Sequence, residues 1–149
     1  MPKGVPYLTE KKENKDMSVV KSKQYIASTQ FLSNLQKLEK EVLAWCKSQG
    51  NKNTSYGLSA LFETTNKAFI NAFQANKTYL KDEDSLLLRK QYLDNSIRWL
   101  HNFNAQLTAL LSCYNISNTK IKRWMCYVHQ AINQMESVKK SDSKRLKKK

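Results

Sequence analysis

Apolar positions recur along most of the chain in alternating steps of four and three, the spacing that keeps side chains on one side of an α-helix. The longest such stripe runs Leu86, Lys90, Leu93, Ile97, Leu100, Asn104, Leu107, Leu111 and Tyr114, and neither Gly nor Pro interrupts the stretch from Ser85 to Tyr114. A helix of about 30 residues is about 45 Å long, so it needs neighbours of similar length. A first helix is predicted from about Lys23 to Gln49 on Phe31, Leu35, Leu38, Val42 and Trp45, widened by Leu32, Leu43 and Cys46 and stopped by Gly50. A second, capped by Thr54 or Ser55, carries Leu58, Leu61, Phe62, Thr65, Phe69, Ala72, Phe73 and Asn76 to about Thr78, and its three phenylalanines are expected to fill the core. Asp82, Glu83 and Asp84 suit the N-terminus of the third helix rather than a metal site. Ser117 or Asn118 caps a fourth helix with Ile121, Met125, Val128, Ile132, Met135 and Val138 on its stripe.

Connections of about three to seven residues force neighbouring helices antiparallel. The predicted fold is all-α, an up-down-up-down antiparallel four-helix bundle over residues 24–138. A flexible polar arm (1–23) would precede it and a basic disordered tail (139–149) would follow.

The third helix carries a second stripe, Tyr92, Trp99, Phe103 and Leu110, rotated away from the first. Two readings are open: a subunit contact in a homo-oligomer, joined by Trp124 and Tyr127 of the fourth helix, or one wide core face made by both stripes. Asn104 in the first stripe would fix register, and Lys90 would reach solvent along its stem.

The charge is lopsided. Against 12 acidic residues stand 26 Lys and Arg, a net charge of +14 in 149 residues. That imbalance points to a polyanion, with nucleic acid ahead of an anionic membrane or an acidic protein. Phosphate contacts are expected from Lys120, Lys122 and Arg123, from Arg89, Lys90 and Arg98, and from the tail residues Lys139, Lys140, Lys144, Arg145, Lys147, Lys148 and Lys149.

Catalytic chemistry is poorly represented. His101 and His129 are the only histidines, neither lies beside a nucleophile in sequence, and no Gly-rich phosphate loop occurs. Cys126, His129 and Cys113 lack the paired spacing of a zinc site, so neither metal nor cofactor is expected. No apolar run approaches the roughly 18 residues of a membrane span. Cys46, Cys113 and Cys126 are odd in number, which suits free thiols in a reducing cytoplasm, and Cys113 is expected to be buried.

The long third helix with Ile97-Arg98-Trp99-Leu100, then Leu110-Leu111, then Ile116-Ser117 with Lys120 opening helix four, carries a likeness over about Tyr25 to Val138. In this pattern the chain resembles the accessory variability determinant proteins of diversity-generating retroelements, which are similar in turn to ribosomal-RNA intervening-sequence proteins. Met135-Glu136-Ser137-Val138 stands where members often carry a Gly-Gly-Trp-like segment. The resemblance implies a non-catalytic, ring-shaped homopentamer with a positive surface. Such a ring binds the element's reverse transcriptase and its template RNA or cDNA in mutagenic reverse transcription. A freestanding RNA-binding bundle of the intervening-sequence kind, or a protein-interaction module, is the alternative.

Overall fold

The computed structural model describes residues 16–49 and 55–147. They form α1 (Asp16–Gln49), α2 (Ser55–Lys77), α3 (Glu83–Leu110) and α4 (Asn118–Lys147), an all-α four-helix bundle. Among the described residues α1 packs on α2 and α4, and α3 packs on α2 and α4, while the diagonal pairs do not approach. Cross-helix contacts run in opposite directions along each pair, which makes neighbours antiparallel. On α1 and α4, Asn34 Nδ2 donates to Gln134 Oε1 at 2.9 Å, whereas Glu41, further along α1, meets Arg123. On α3 and α4, Arg89 meets Asp142 and Phe103 meets Trp124.

Side-chain chemistry sets the helix starts. Asp82 Oδ1 accepts from the Ser85 amide at 2.8 Å and Ser85 Oγ accepts from the Asp82 amide at 3.0 Å, a reciprocal box that satisfies two orphan donors of α3. Ser117 Oγ accepts from the Lys120 amide at 3.1 Å at the start of α4. The Gly50 stop and the Thr54 cap lie outside the described residues, as do residues 1–15, Lys148 and Lys149; Ser55 opens α2.

The α1 stripe is buried as its spacing predicts, from Phe31 through Leu35, Leu38 and Val42 to Trp45. In α3 the stripe departs from the strict alternation. Leu93, Ile97 and Leu100 are buried, but Asn104 and Leu111 are exposed and Lys90 keeps much of its surface, and Phe103, Leu107 and Leu110 continue the core. A straight helix drifts about 20° per heptad against a strict 3.5 repeat, so a stripe written as fours and threes rotates off the seam. Asn104 therefore fixes no register. The second stripe is split by the same rotation: Phe103 and Leu110 belong to this chain's own core, while Tyr92 and Trp99 pack half-buried at its edge.

The core face of α2 is rich in small residues. Ala68, Ala72 and Ala75 are buried, whereas Phe62 and Phe69 sit half-buried on the flank and Phe73 is exposed. Alanines let α2 and α3 approach closely enough for Ser96 Oγ to donate to the Ala68 carbonyl at 2.7 Å. Rings at those positions would hold the helices apart. At Gly57, an added Cβ would meet Leu110 Cδ2 at 2.6 Å, so the missing side chain admits the end of α3. In α4 the buried line is Trp124, Val128, Ala131, Met135, Val138 and Asp142, with Ile121, Met125 and Ile132 beside it, half-buried.

The helices reach further into both ends of the chain than expected. Helix α1 begins at Asp16, inside the predicted arm, and α4 continues to Lys147, through most of the predicted tail. The reason at the second end is Asp142, its side chain 3% exposed, whose carboxylate takes a bidentate pair from Arg89 (Nε–Oδ2 2.8 Å, Nη2–Oδ1 3.2 Å). Arg89 Nη1 also donates to the carbonyls of Ala75 (3.1 Å) and Thr78 (2.9 Å), so one guanidinium ties α2, α3 and the end of α4 together.

Candidate nucleic-acid interface

Helix α4 concentrates the charge. It carries eight basic residues against two acidic, while α3 carries three of each. Helix α4 uses its inner line for the core, one flank (Arg123, Tyr127, Gln134) for α1 and the other (Lys139, Asp142) for α3. What is left points outward: Lys122, Cys126, His129, Asn133, Glu136, Lys140 and Lys144 recur at helical spacing and all are exposed. Lys37, Lys40 and Lys47 are exposed on α1, the neighbour of α4. In sequence each of these three looks like an ordinary solvated lysine, and only their place on α1, beside α4, joins them to its charge.

Several predicted phosphate ligands are occupied instead. Arg89 is nearly enclosed in the Asp142 clasp, so it is a structural residue and no surface contact. Lys139 is paired with Asp94 and Glu136, and the opposing carboxylates hold its pKa above the ordinary value although burial pushes it down. Lys90 reaches Asp94 at 3.2 Å, four residues on, with its side chain still largely in solvent. Arg145 lies 3.6 Å from Asp142 with its side chain 62% exposed. Arg98, Lys140 and Lys144 are exposed, Lys122 likewise, and Lys120 is half-buried.

At the α1/α4 seam one carboxylate gathers three donors. Glu41 accepts from Arg123 Nε at 2.8 Å, Trp124 Nε1 at 3.2 Å and Tyr127 Oη at 2.8 Å. Desolvation works to raise the Glu41 pKa, but the hydrogen bonds from Arg123 and Tyr127 and the Arg123 charge outweigh it and hold the carboxyl below its ordinary range. Burial and the Glu41 contact push the Tyr127 hydroxyl up. Arg123 stays partly exposed, its side chain oriented by Glu41.

The predicted subunit contact is corrected here. Trp124 is 0% exposed and packs edge-on against Trp45 and Phe103, at 6.1 and 6.2 Å between centroids. Phe103 and Leu110 are buried with it, and Tyr127 is half-buried against Glu41, so these four serve the fold of one chain. Tyr92 and Trp99 are half-buried outside that seam, and Lys67 lies over the Trp99 ring at 5.8 Å.

Cys113 is exposed, contrary to expectation, because it follows the end of α3 in a turn; Cys126 is exposed too. Cys46 is the half-buried thiol, and burial pushes its pKa up to about 11. Among the described residues no cluster of three His, Cys, Asp or Glu side chains gathers to hold a metal ion, and no helix is long and apolar enough to cross a membrane. No family model, no curated protein and no solved structure matches this chain.

Proposed function

We propose that this chain is a non-catalytic nucleic-acid-binding protein that uses the outer face of α4, with the exposed lysines of α1, to engage phosphates. The observation that carries the reading is the segregation of charge: α4 holds an excess of six positive charges and α3 none, although the two helices are of similar length. A polyanion gains from such a face through counterion release. Within that reading we place the chain as an accessory subunit of a diversity-generating retroelement, acting in the cytoplasm with the element's reverse transcriptase and template RNA or cDNA, and assembling with copies of itself as a pentamer. The sequence pattern from Tyr25 to Val138 supports that placement, and a bundle with one basic side is compatible with it.

The test of nucleic-acid binding is a titration in increasing salt with the wild type and with Lys120→Ala/Lys122→Ala/Arg123→Ala. The expected outcome is weaker binding and a flatter salt dependence with unchanged helicity. Affinity unaffected by all three changes overturns the site. The accessory role is tested by adding the protein to the element's reverse transcriptase, with light scattering for the oligomer; no change in cDNA yield or misincorporation at adenines removes that part alone.

A further inference from the structure

We infer that the basic face takes double-helical nucleic acid by its phosphates and does not read or stack on bases; this rests on the proposed nucleic-acid binding and names its substrate class. Two observations carry it. The first is that, among the side chains the structure describes, the aromatic ones near the face are unavailable. Single strands are held by a cationic groove combined with rings on which successive bases stack. On the α1/α4 side Trp45 and Trp124 are sealed in the core, and Tyr127 is half-buried with its hydroxyl held by Glu41. The exposed Phe and Tyr rings among the described residues are Phe73 on α2 and Tyr79 just beyond its end, and α2 lies diagonally across the bundle from α4. The cations of α4 and the exposed rings are thus on opposite sides of the bundle.

The second is the spacing of charge along α4. Lys120, Lys122 and Arg123 lie in its first turns, and Lys140, Lys144 and Arg145 near its other end. Between the two groups the outward positions are Cys126, His129, Asn133 and Glu136, with no Lys or Arg among them. From Lys122 to Lys144 the rise along a helix is about 33 Å. One turn of a B-form DNA duplex is about 34 Å, so phosphates of one strand return to the same side at the interval between the two groups. The stretch of α4 without Lys or Arg, which also carries the acidic Glu136, then lies over a groove. A single strand has no such fixed repeat, and would cross about 26 Å of α4, from Arg123 to Lys140, with no exposed Lys, Arg or aromatic ring of that helix to hold it. A rigid helix bearing two cationic ends is suited to a rigid polyanion.

The experiment is fluorescence anisotropy at a series of salt concentrations, ligands being compared at equal salt, with a labelled duplex long enough to span α4, about 20 base pairs where roughly 13 cover the helix. Its separated strand and a duplex of scrambled sequence are run beside it, in DNA and in RNA. Expected is at least roughly tenfold tighter binding of the duplex than of the strand in one or both chemistries, with the scrambled duplex within about twofold. Lys122→Ala/Lys140→Ala/Lys144→Ala, all exposed and so compatible with folding, should weaken duplex binding and reduce the salt slope by about 3, near 0.9 for each phosphate left without its cation. Equal or tighter binding of the strand, or a strong dependence on base sequence, overturns the inference and leaves nucleic-acid binding standing. Binding to neither form at low salt removes both.

Discussion

The α2/α3 and α1/α4 seams solve the same packing problem with different residues. At α2/α3 the helices close on alanines and a serine, Ala68, Ala72, Ala75 and Ser96, and the aromatic rings are displaced to the flanks, where Lys67 and Lys77 lie over Trp99 and Phe73. At α1/α4 the seam is filled by large groups, Trp45 and Trp124, and closed on its outer side by Glu41. Small residues give close approach and leave apolar surface outside; large ones consume the aromatics inside and leave cations outside. The division of the surface into a nearly neutral side and a basic side follows from how each seam is packed.

The largest effect should come from Trp124→Ala, which empties the centre of the α1/α4 seam and should cost about 3–5 kcal/mol in denaturant unfolding. A loss as small as that of an exposed residue would mean the seam does not depend on its rings. Nearly as large is Arg89→Ala, about 3 kcal/mol or more, because it leaves the Asp142 carboxylate buried and unpaired by its main cation. Hydrogen exchange should then show the last turns of α4 opening first; uniform loss of protection would refute the local clasp. At the other seam Ala72→Leu should destabilise by about 1–3 kcal/mol through overpacking, while Phe73→Leu, on an exposed position, should stay within about 0.5 kcal/mol. Similar losses for both would place α2 differently.

Acid gives the smallest and most selective effect. The Glu41 and Asp94 carboxyls both sit below their ordinary values of 4.5 and 3.8, since hydrogen bonds and nearby cations outweigh desolvation in each. A carboxyl whose pKa is depressed on folding contributes stability that is complete above its unfolded value and lost as pH falls through its folded value. Both carboxyls bind α4, one from α1 and one from α3, whereas the hydrogen bonds from α3 to α2, Ser96 to Ala68 and Arg89 to Ala75, end on backbone carbonyls that do not titrate. Below about pH 4, α4 should therefore lose hydrogen-exchange protection before α2. Simultaneous loss across the bundle would contradict this difference between the seams.

Much of the architecture was legible beforehand because helical periodicity, caps and short connections are local signals: the four helices, the Asp82 and Ser117 starts and the α1 core line all follow from neighbours in sequence. The site was less legible. A cation in sequence carries no mark of whether an acid from another helix will take it, and Arg89, Lys139 and Arg123 meet Asp142, Asp94 and Glu41 only after the chain has folded back on itself. The same holds for the rings: the spacing of Phe103, Leu110 and Trp124 shows that they share helix faces but not which neighbour covers them. Residues near one another, together with composition, were thus enough to set the helices, their antiparallel order and the surplus of positive charge. Which apolar residues became core, which cations were neutralised and which face of α4 stayed open depend instead on rotation between helices, where a drift of about 20° per heptad separates a buried position from an exposed one.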